Sequence, residues 1–281
     1  MQSYWLGARR FDEFCQQTGL LKSLVSNRLK RLIDNDCIVK VRYSDRPTRY
    51  EYKATERFID FFPLALAMLY WERKWSKKRD AISVTLTHTS CSQISEPFPA
   101  CGTCEQAIDP HDVSWQPGPG VGMMDAHYSP RRRQSSAVVT DTRLFDEVVG
   151  IVGDRWSALV LRSLFMGVNQ FQSLLQDTGM ATNILTDRLN ALSSSEIIYQ
   201  SGVDGDQRQI KYRLTEKGSN IYPIVILLLA WGDKWKPVPE GPPLLLTHKS
   251  CGSPLAIKML CSACKQEVHA SATEFRVESR C

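Results

Sequence analysis

The residues best suited to chemistry in this 281-residue chain are histidines and cysteines in two short stretches. "LTHTSCSQISEPFPACGTC" holds His88, Cys91, Cys101 and Cys104, and "LTHKSCGSPLAIKMLCSAC" holds His248, Cys251, Cys261 and Cys264. Both keep one His, one Cys three residues on, and a later Cys-x-x-Cys, while the interior differs. Zn2+ takes four N or S ligands in a tetrahedron, commonly as two short pairs joined by a loop. Each short pair lets two side chains of one tight turn face one ion, and the interior serves as spacer. The expectation is two structural Zn2+ sites, each closed within its own stretch: His88/Cys91 with Cys101/Cys104, and His248/Cys251 with Cys261/Cys264. With few apolar residues, such tails need an ion to fold. His111 and His269 are alternative donors, but their offsets from the Cys-x-x-Cys differ between stretches, which favours His88 and His248. A redox thiol pair and plain core packing are the competing readings of the cysteines. Cys15 and Cys37, matched by Leu175 and Ile197, read as apolar packing with a sensor thiol as alternative, and Cys281 is terminal.

These stretches belong to a longer repeat. A shift of 160 residues aligns Gly7–Cys104 with Gly167–Cys264 without a gap and gives 24 identities in 98 positions. Chance gives about 6% at ordinary composition, so one unit is written twice.

In the second unit, Phe145–Gly153 is a helix, and Asp154 caps another at Arg155–Phe165. A third, Asn169–Asp177, is closed by Gly179. A fourth, Thr182–Ser194, repeats Ile184, Leu185, Leu189 and Leu192. Strands at Ile197–Gln200 and Gln209–Leu214 then form a hairpin with a charged tip. The first unit repeats this as helices Phe11–Gln17 and Lys22–Asn35 and a hairpin at Val39–Lys53. It lacks a counterpart of 144–162; either those helices precede Met1 or this unit takes substitutes from elsewhere. Helices followed by a hairpin are the order of a winged helix-turn-helix. The fold expected is mainly α with small β-hairpin wings (α+β). The expected domains are 1–80, a first winged helix-turn-helix, and 81–115, a zinc-ribbon-like segment. A linker at 116–142, a second winged unit at 143–237, a second ribbon-like segment at 238–275 and a tail at 276–281 complete the chain.

Ala54–Trp75 and Thr215–Trp235 are apolar nearly all round, and each holds a proline expected to kink it mid-helix. Such helices need covering, either by each other in an intramolecular pseudo-dimer or in a homodimer. A cavity beside them is a place for an apolar small-molecule effector.

The segments "VVGIVGDRWSALVLRSLF", "GARRFDEF", "YSDRPTRYEYKATE" and "YRLTEKG" resemble the HxlR-type, MarR-like bacterial transcriptional regulators. The resemblance implies homodimers that bind palindromic duplex DNA through the recognition helix and the wing. The tandem arrangement departs from that pattern. With Leu24, Leu29 and Leu32 turned inward, Lys22, Ser23, Ser26, Asn27 and Lys30 face base edges in the major groove. Arg46 and Arg49 at the wing tip reach phosphates or the minor groove. The second unit offers Thr182, Asn183, Thr186, Asp187 and Asn190, with Arg208 and Lys211 in its wing. Asp187 repels phosphate, although its carboxylate is also able to accept a hydrogen bond from cytosine. Arg28 and Arg188, identical between units, suit either a salt bridge or DNA.

The net charge of +5 resides in the first part and the linker, which contains Arg131-Arg132-Arg133; residues 144–276 balance at 13 basic and 13 acidic side chains. That placement suits a polyanionic partner. The two most apolar runs, Phe61–Tyr70 and Tyr222–Trp231, are too short to span a bilayer, and no signal-peptide pattern opens the chain. A cytoplasmic location without membrane contact follows. No phosphate loop, nucleophile elbow or zinc-hydrolase motif is present, so an enzyme is not expected. The reading is a DNA-binding transcriptional regulator, with repression favoured over activation. The alternative is a thiol- or ligand-responsive sensor, or an interaction adaptor with weak or lost DNA binding.

Overall fold

The computed structural model describes residues 1–76, 82–122, 144–203 and 206–279. The arginine run 131–133 and Cys281 lie outside them. The first unit runs α1 (Gln2–Trp5), α2 (Phe11–Thr18), α3 (Lys22–Asp34), β1 (Ile38–Asp45), β2 (Thr48–Ala54), α4 (Glu56–Ile59) and α5 (Phe62–Trp75). Its tail holds β3 (Ile82–His88), β4 (Gln93–Ile94), β5 (Phe98–Cys101) and β6 (Val113–Pro117). The second unit runs α6 (Asp146–Val152), α7 (Arg155–Phe165), α8 (Phe171–Thr178), α9 (Thr182–Ser194), β7 (Ile198–Val203), β8 (Asp206–Leu214), α10 (Glu216–Ser219) and α11 (Tyr222–Trp235). Its tail holds β9 (Leu244–His248), β10 (Ile257–Leu260) and β11 (Thr273–Ser279).

Local chemistry sets these boundaries. Gly19 and Gly179 end α2 and α8 at φ of 60° and 64°, a left-handed cap that glycine adopts without a Cβ penalty. The Asp154 carboxylate accepts the Ser157 amide and opens α7, as its position predicts. Val25 and Leu29 of α3, with Phe14, Ile38, Tyr52 and Phe58, make the first unit's small core. Val25 thus takes the buried place expected of Leu24, which is only half-buried.

The long apolar segments differ from expectation. Neither is one helix with a central kink. Thr55 and Thr215 cap the one-turn helices α4 and α10, and the chain restarts at α5 and α11 with Pro63 and Pro223 in the first turn. Proline's missing N–H costs nothing there, because first-turn amides have no intrahelical acceptor.

α5 packs against α11, and the contacts obey a local twofold relation between the units. Trp71 Nε1 donates to the Lys217 carbonyl at 3.0 Å, and Trp231 Nε1 to the Arg57 carbonyl at 2.9 Å. Lys74 pairs with Glu216 at 3.1 Å, and Lys234 with Glu56 at 3.4 Å. The main core runs across this boundary, joining Leu64, Leu66 and Trp71 to Val148, Leu161 and Leu164. Glu72, buried in α5, accepts the amides of Glu147 and Val148 at 2.8 and 2.9 Å and so caps α6 of the other unit.

The tails exchange strands. β11 pairs antiparallel with β3, aligning Thr273 with His88, and β6 pairs with β9, aligning Val113 with His248. β5 pairs with β10, and there Pro99 faces Met259. These two residues are 160 apart, the offset of the repeat, so the local twofold passes between them. Each Cys-x-x-Cys is thereby delivered to the opposite tail.

Candidate metal centres and nucleic-acid interface

The exchange decides which ligands meet. His88 and Cys91 converge with Cys261 and Cys264, and His248 and Cys251 with Cys101 and Cys104; within each set all ligand atoms lie within 4.8 Å of one another. The closed sets expected within each stretch are therefore corrected. The eight residues divide into half-sets from both units, because the β5–β10 pairing carries each knuckle across the twofold.

The spacings suit one tetrahedral ion per set. His88 Nδ1 is 3.5 Å from Cys91 Sγ and 3.4 Å from Cys264 Sγ, and Cys91 Sγ is 3.9 Å from Cys261 Sγ. His248 Nδ1 is 3.4 Å from both Cys104 Sγ and Cys251 Sγ, and Cys101 Sγ is 3.9 Å from Cys251 Sγ. Zn–S bonds of ~2.3 Å and Zn–N bonds of ~2.0 Å give tetrahedron edges of about 3.8 Å for S–S and 3.5 Å for S–N. A disulfide would need sulfurs at ~2.05 Å, so these are thiols gathered around a common centre. Each site combines the buried His88 or His248 with one buried cysteine and two half-buried ones.

Local hydrogen bonding favours thiolate at one cysteine of each set. Burial raises Cys91, and at Cys104 the Gln106 amide opposes a rise that burial and the neighbouring Cys101 and Cys251 carry through. Burial opposes ionisation of Cys261, but amides of Cys264 and Ala263 and the Ser95 hydroxyl outweigh it and bring the pKa to about 6. Cys101 is also lowered: burial opposes, and amides of Cys104 and Thr103 prevail. Cys37, by contrast, is buried among apolar side chains and its thiol is raised by that burial, so it packs as a small hydrophobe. Cys15 is half-buried against the same core.

The two surroundings are unequal. Asp112 Oδ2 lies 3.1 Å from His248 Nε2. No motif announced this carboxylate, nor the cap from Glu72, because neither has a counterpart in the other unit: the matching positions hold Ala272 and Gly232.

On the helix-turn-helix faces, Lys22, Ser23, Ser26, Asn27 and Lys30 of α3 are all exposed, as are Arg46 and Arg49 at the first wing's tip. On α9, Thr182, Asn183, Thr186, Asp187 and Asn190 are exposed. Thr186 spends its hydroxyl proton on the Thr182 carbonyl at 2.9 Å. Lys211 is half-buried on β8; Arg208 is on the same strand, its side chain outside the described residues. The matched arginines part company. Arg188 Nε lies 3.0 Å from the capping carboxylate of Asp154, a structural pairing, whereas Arg28 is exposed.

The HxlR-like helix-turn-helix family pattern matches residues 2–80 and 151–240. An uncharacterized HTH-type transcriptional regulator of Mycobacterium tuberculosis H37Rv, Rv3095, is 35% identical over 120 residues, covering 43% of this chain and 76% of its own. The uncharacterized HTH-type transcriptional regulator sll1512 of Synechocystis is 35% identical over 89 residues, 31% of this chain and 66% of that protein. Among solved structures, the reduced form of the transcriptional regulator YodB from Bacillus subtilis aligns with a TM-score of 0.30 at 24% identity, covering 32% of this chain and 89% of that one.

Proposed function

The chain belongs to the HxlR-like helix-turn-helix family, and on that premise we propose that it is a DNA-binding transcriptional regulator whose two units act as a covalent pseudo-dimer on duplex DNA. The observation that carries this reading is the reciprocal α5–α11 contact, with Trp71 and Trp231 each bonded to the other unit's backbone. Two heads held in fixed relation suit two half-sites, with α3 and α9 reading the major groove. The wings then lie on phosphates or in the minor groove. The heads are not equivalent. α3 and its wing bring Lys22, Lys30, Arg46 and Arg49, whereas α9 brings mostly neutral side chains and Asp187, so the first head supplies more of the electrostatic affinity.

The two Cys/His clusters hold structural Zn2+ in this reading. Filling either site ties the tails of both units together, so metal and pseudo-dimer stabilise one another. With four protein ligands at each centre, no open position is left for substrate, which suits a non-enzymatic role. An apolar effector has a candidate place in the cleft lined by Trp5, Leu6, Phe62, Leu66, Leu69 and Phe275. Among the described residues, no helix is long and apolar enough to cross a membrane.

The test is affinity for duplexes selected from genomic fragments, measured against salt. A regulator loses affinity steeply as salt rises, with a slope of about −0.9 per phosphate neutralised. Weak, salt-insensitive binding to every selected duplex would overturn the reading.

A further inference from the structure

The clusters differ in what holds their histidines. His248 is buried, and its Nε2, pointing away from the ligand group, has no aligned hydrogen bond. The Asp112 carboxylate lies 3.1 Å from that nitrogen. Asp112 is itself pinned: its carboxylate accepts the Ser250 hydroxyl, and its carbonyl accepts the Lys249 amide at 2.8 Å. The corresponding backbone bond exists in the other tail, where the Thr89 amide donates to the Ala272 carbonyl at 3.0 Å. The backbone frame is thus the same on both sides, but Ala272 puts a methyl where Asp112 puts a carboxylate. Among the described residues, no carboxylate pairs with His88.

A carboxylate on the far nitrogen of a metal-bound histidine fixes its tautomer and ring orientation and raises its basicity. We propose that Asp112 is a positioning residue that makes the two metal sites unequal: the site of His248, Cys251, Cys101 and Cys104 is tight and permanent, and that of His88, Cys91, Cys261 and Cys264 is weaker and exchangeable. The weaker site answers to the available zinc while the tighter one keeps the tails joined. This inference rests on the reading that both clusters hold Zn2+.

The experiment is zinc release from the full chain, loaded with two equivalents, against a graded series of a chromophoric chelator. Two separated steps are expected, and Cys91→Ser should abolish only the easier one. Asp112→Asn keeps the shape and removes the charge. It should shift the harder step by about 10- to 100-fold toward the easier one and leave the easier step in place. Ala272→Asp should make the easier step harder. Circular dichroism on the loaded variants checks that each is folded; if Asp112→Asn is not, Ala272→Asp decides. Two ions leaving together from the parent chain, or an unmoved harder step in folded Asp112→Asn, would overturn the inference. A chain that takes up no zinc would overturn the metal reading itself, which is a different result.

Discussion

His88 Nδ1 and Cys264 Sγ lie 3.4 Å apart, although 176 positions separate them in the chain. Neither is the partner that spacing alone selects, and the consequence is measurable by pairing substitutions. The double variant His88→Ala with Cys264→Ser strikes one site and should retain one bound zinc of two. His88→Ala with Cys101→Ser strikes both and should retain none. Ligand sets closed within each stretch would reverse the two results, so zinc content by elemental analysis discriminates.

Trp71 is wholly buried at the unit boundary, whereas Trp231 is half-buried. Trp71→Ala should therefore cost about 3–5 kcal/mol, the range for removing a large aromatic from a core, and Trp231→Ala distinctly less. Urea denaturation of both variants in the zinc-loaded state tests the difference.

Glu72 caps α6 from the other unit, and burial raises its pKa above the usual carboxylate value, with the nearby Glu147 carboxylate adding to the rise and amides of Val148 and Glu147 opposing it. The folded state then holds the proton more tightly than the unfolded chain. The corresponding stability is fully present below the unfolded pKa and is lost as pH rises through the folded one. Glu72→Gln keeps an acceptor without the titration. Relative to the parent, it should gain stability as pH rises above the usual carboxylate range, read from denaturation midpoints. Glu72→Ala leaves two first-turn amides without their acceptor and should cost about 1 kcal/mol.

Lys22→Ala and Arg46→Ala should each weaken DNA binding, Lys22→Ala chiefly at the bases it faces and Arg46→Ala about uniformly across sequences with a salt slope reduced by about one unit. Asp187→Asn removes a repelled charge and should strengthen it. Arg28→Ala should weaken DNA binding at unchanged stability, whereas Arg188→Ala should lower the unfolding midpoint, since Arg188 is committed to Asp154. Fluorescence anisotropy and thermal melts on the same preparations separate the two effects. Equal DNA losses from both arginines would refute the assignment.

Much of this protein was legible in the residues. Apolar spacing, Asp154 as a cap and the glycines at 19 and 179 act over a single turn of chain, so local chemistry places α2, α3, α7, α8 and α9 within a few residues. Repetition at an offset of 160 identified the unit, and the types and short spacings of His88, Cys91, Cys101, Cys104 and their counterparts picked out the side chains that converge in the two clusters. Packing decided the rest. Pairing within a stretch and pairing across the units use the same residues at the same spacings, so no pattern in one dimension separates them. The antiparallel contact of β5 with β10 about Pro99 and Met259 separates them in three. The same holds for Glu72 and Asp112, whose partners are remote and whose repeat counterparts are Gly232 and Ala272. Pro63 and Pro223 show the local limit. A proline breaks a helix interior but suits a first turn, so its presence alone does not say which; in the fold α5 and α11 begin there.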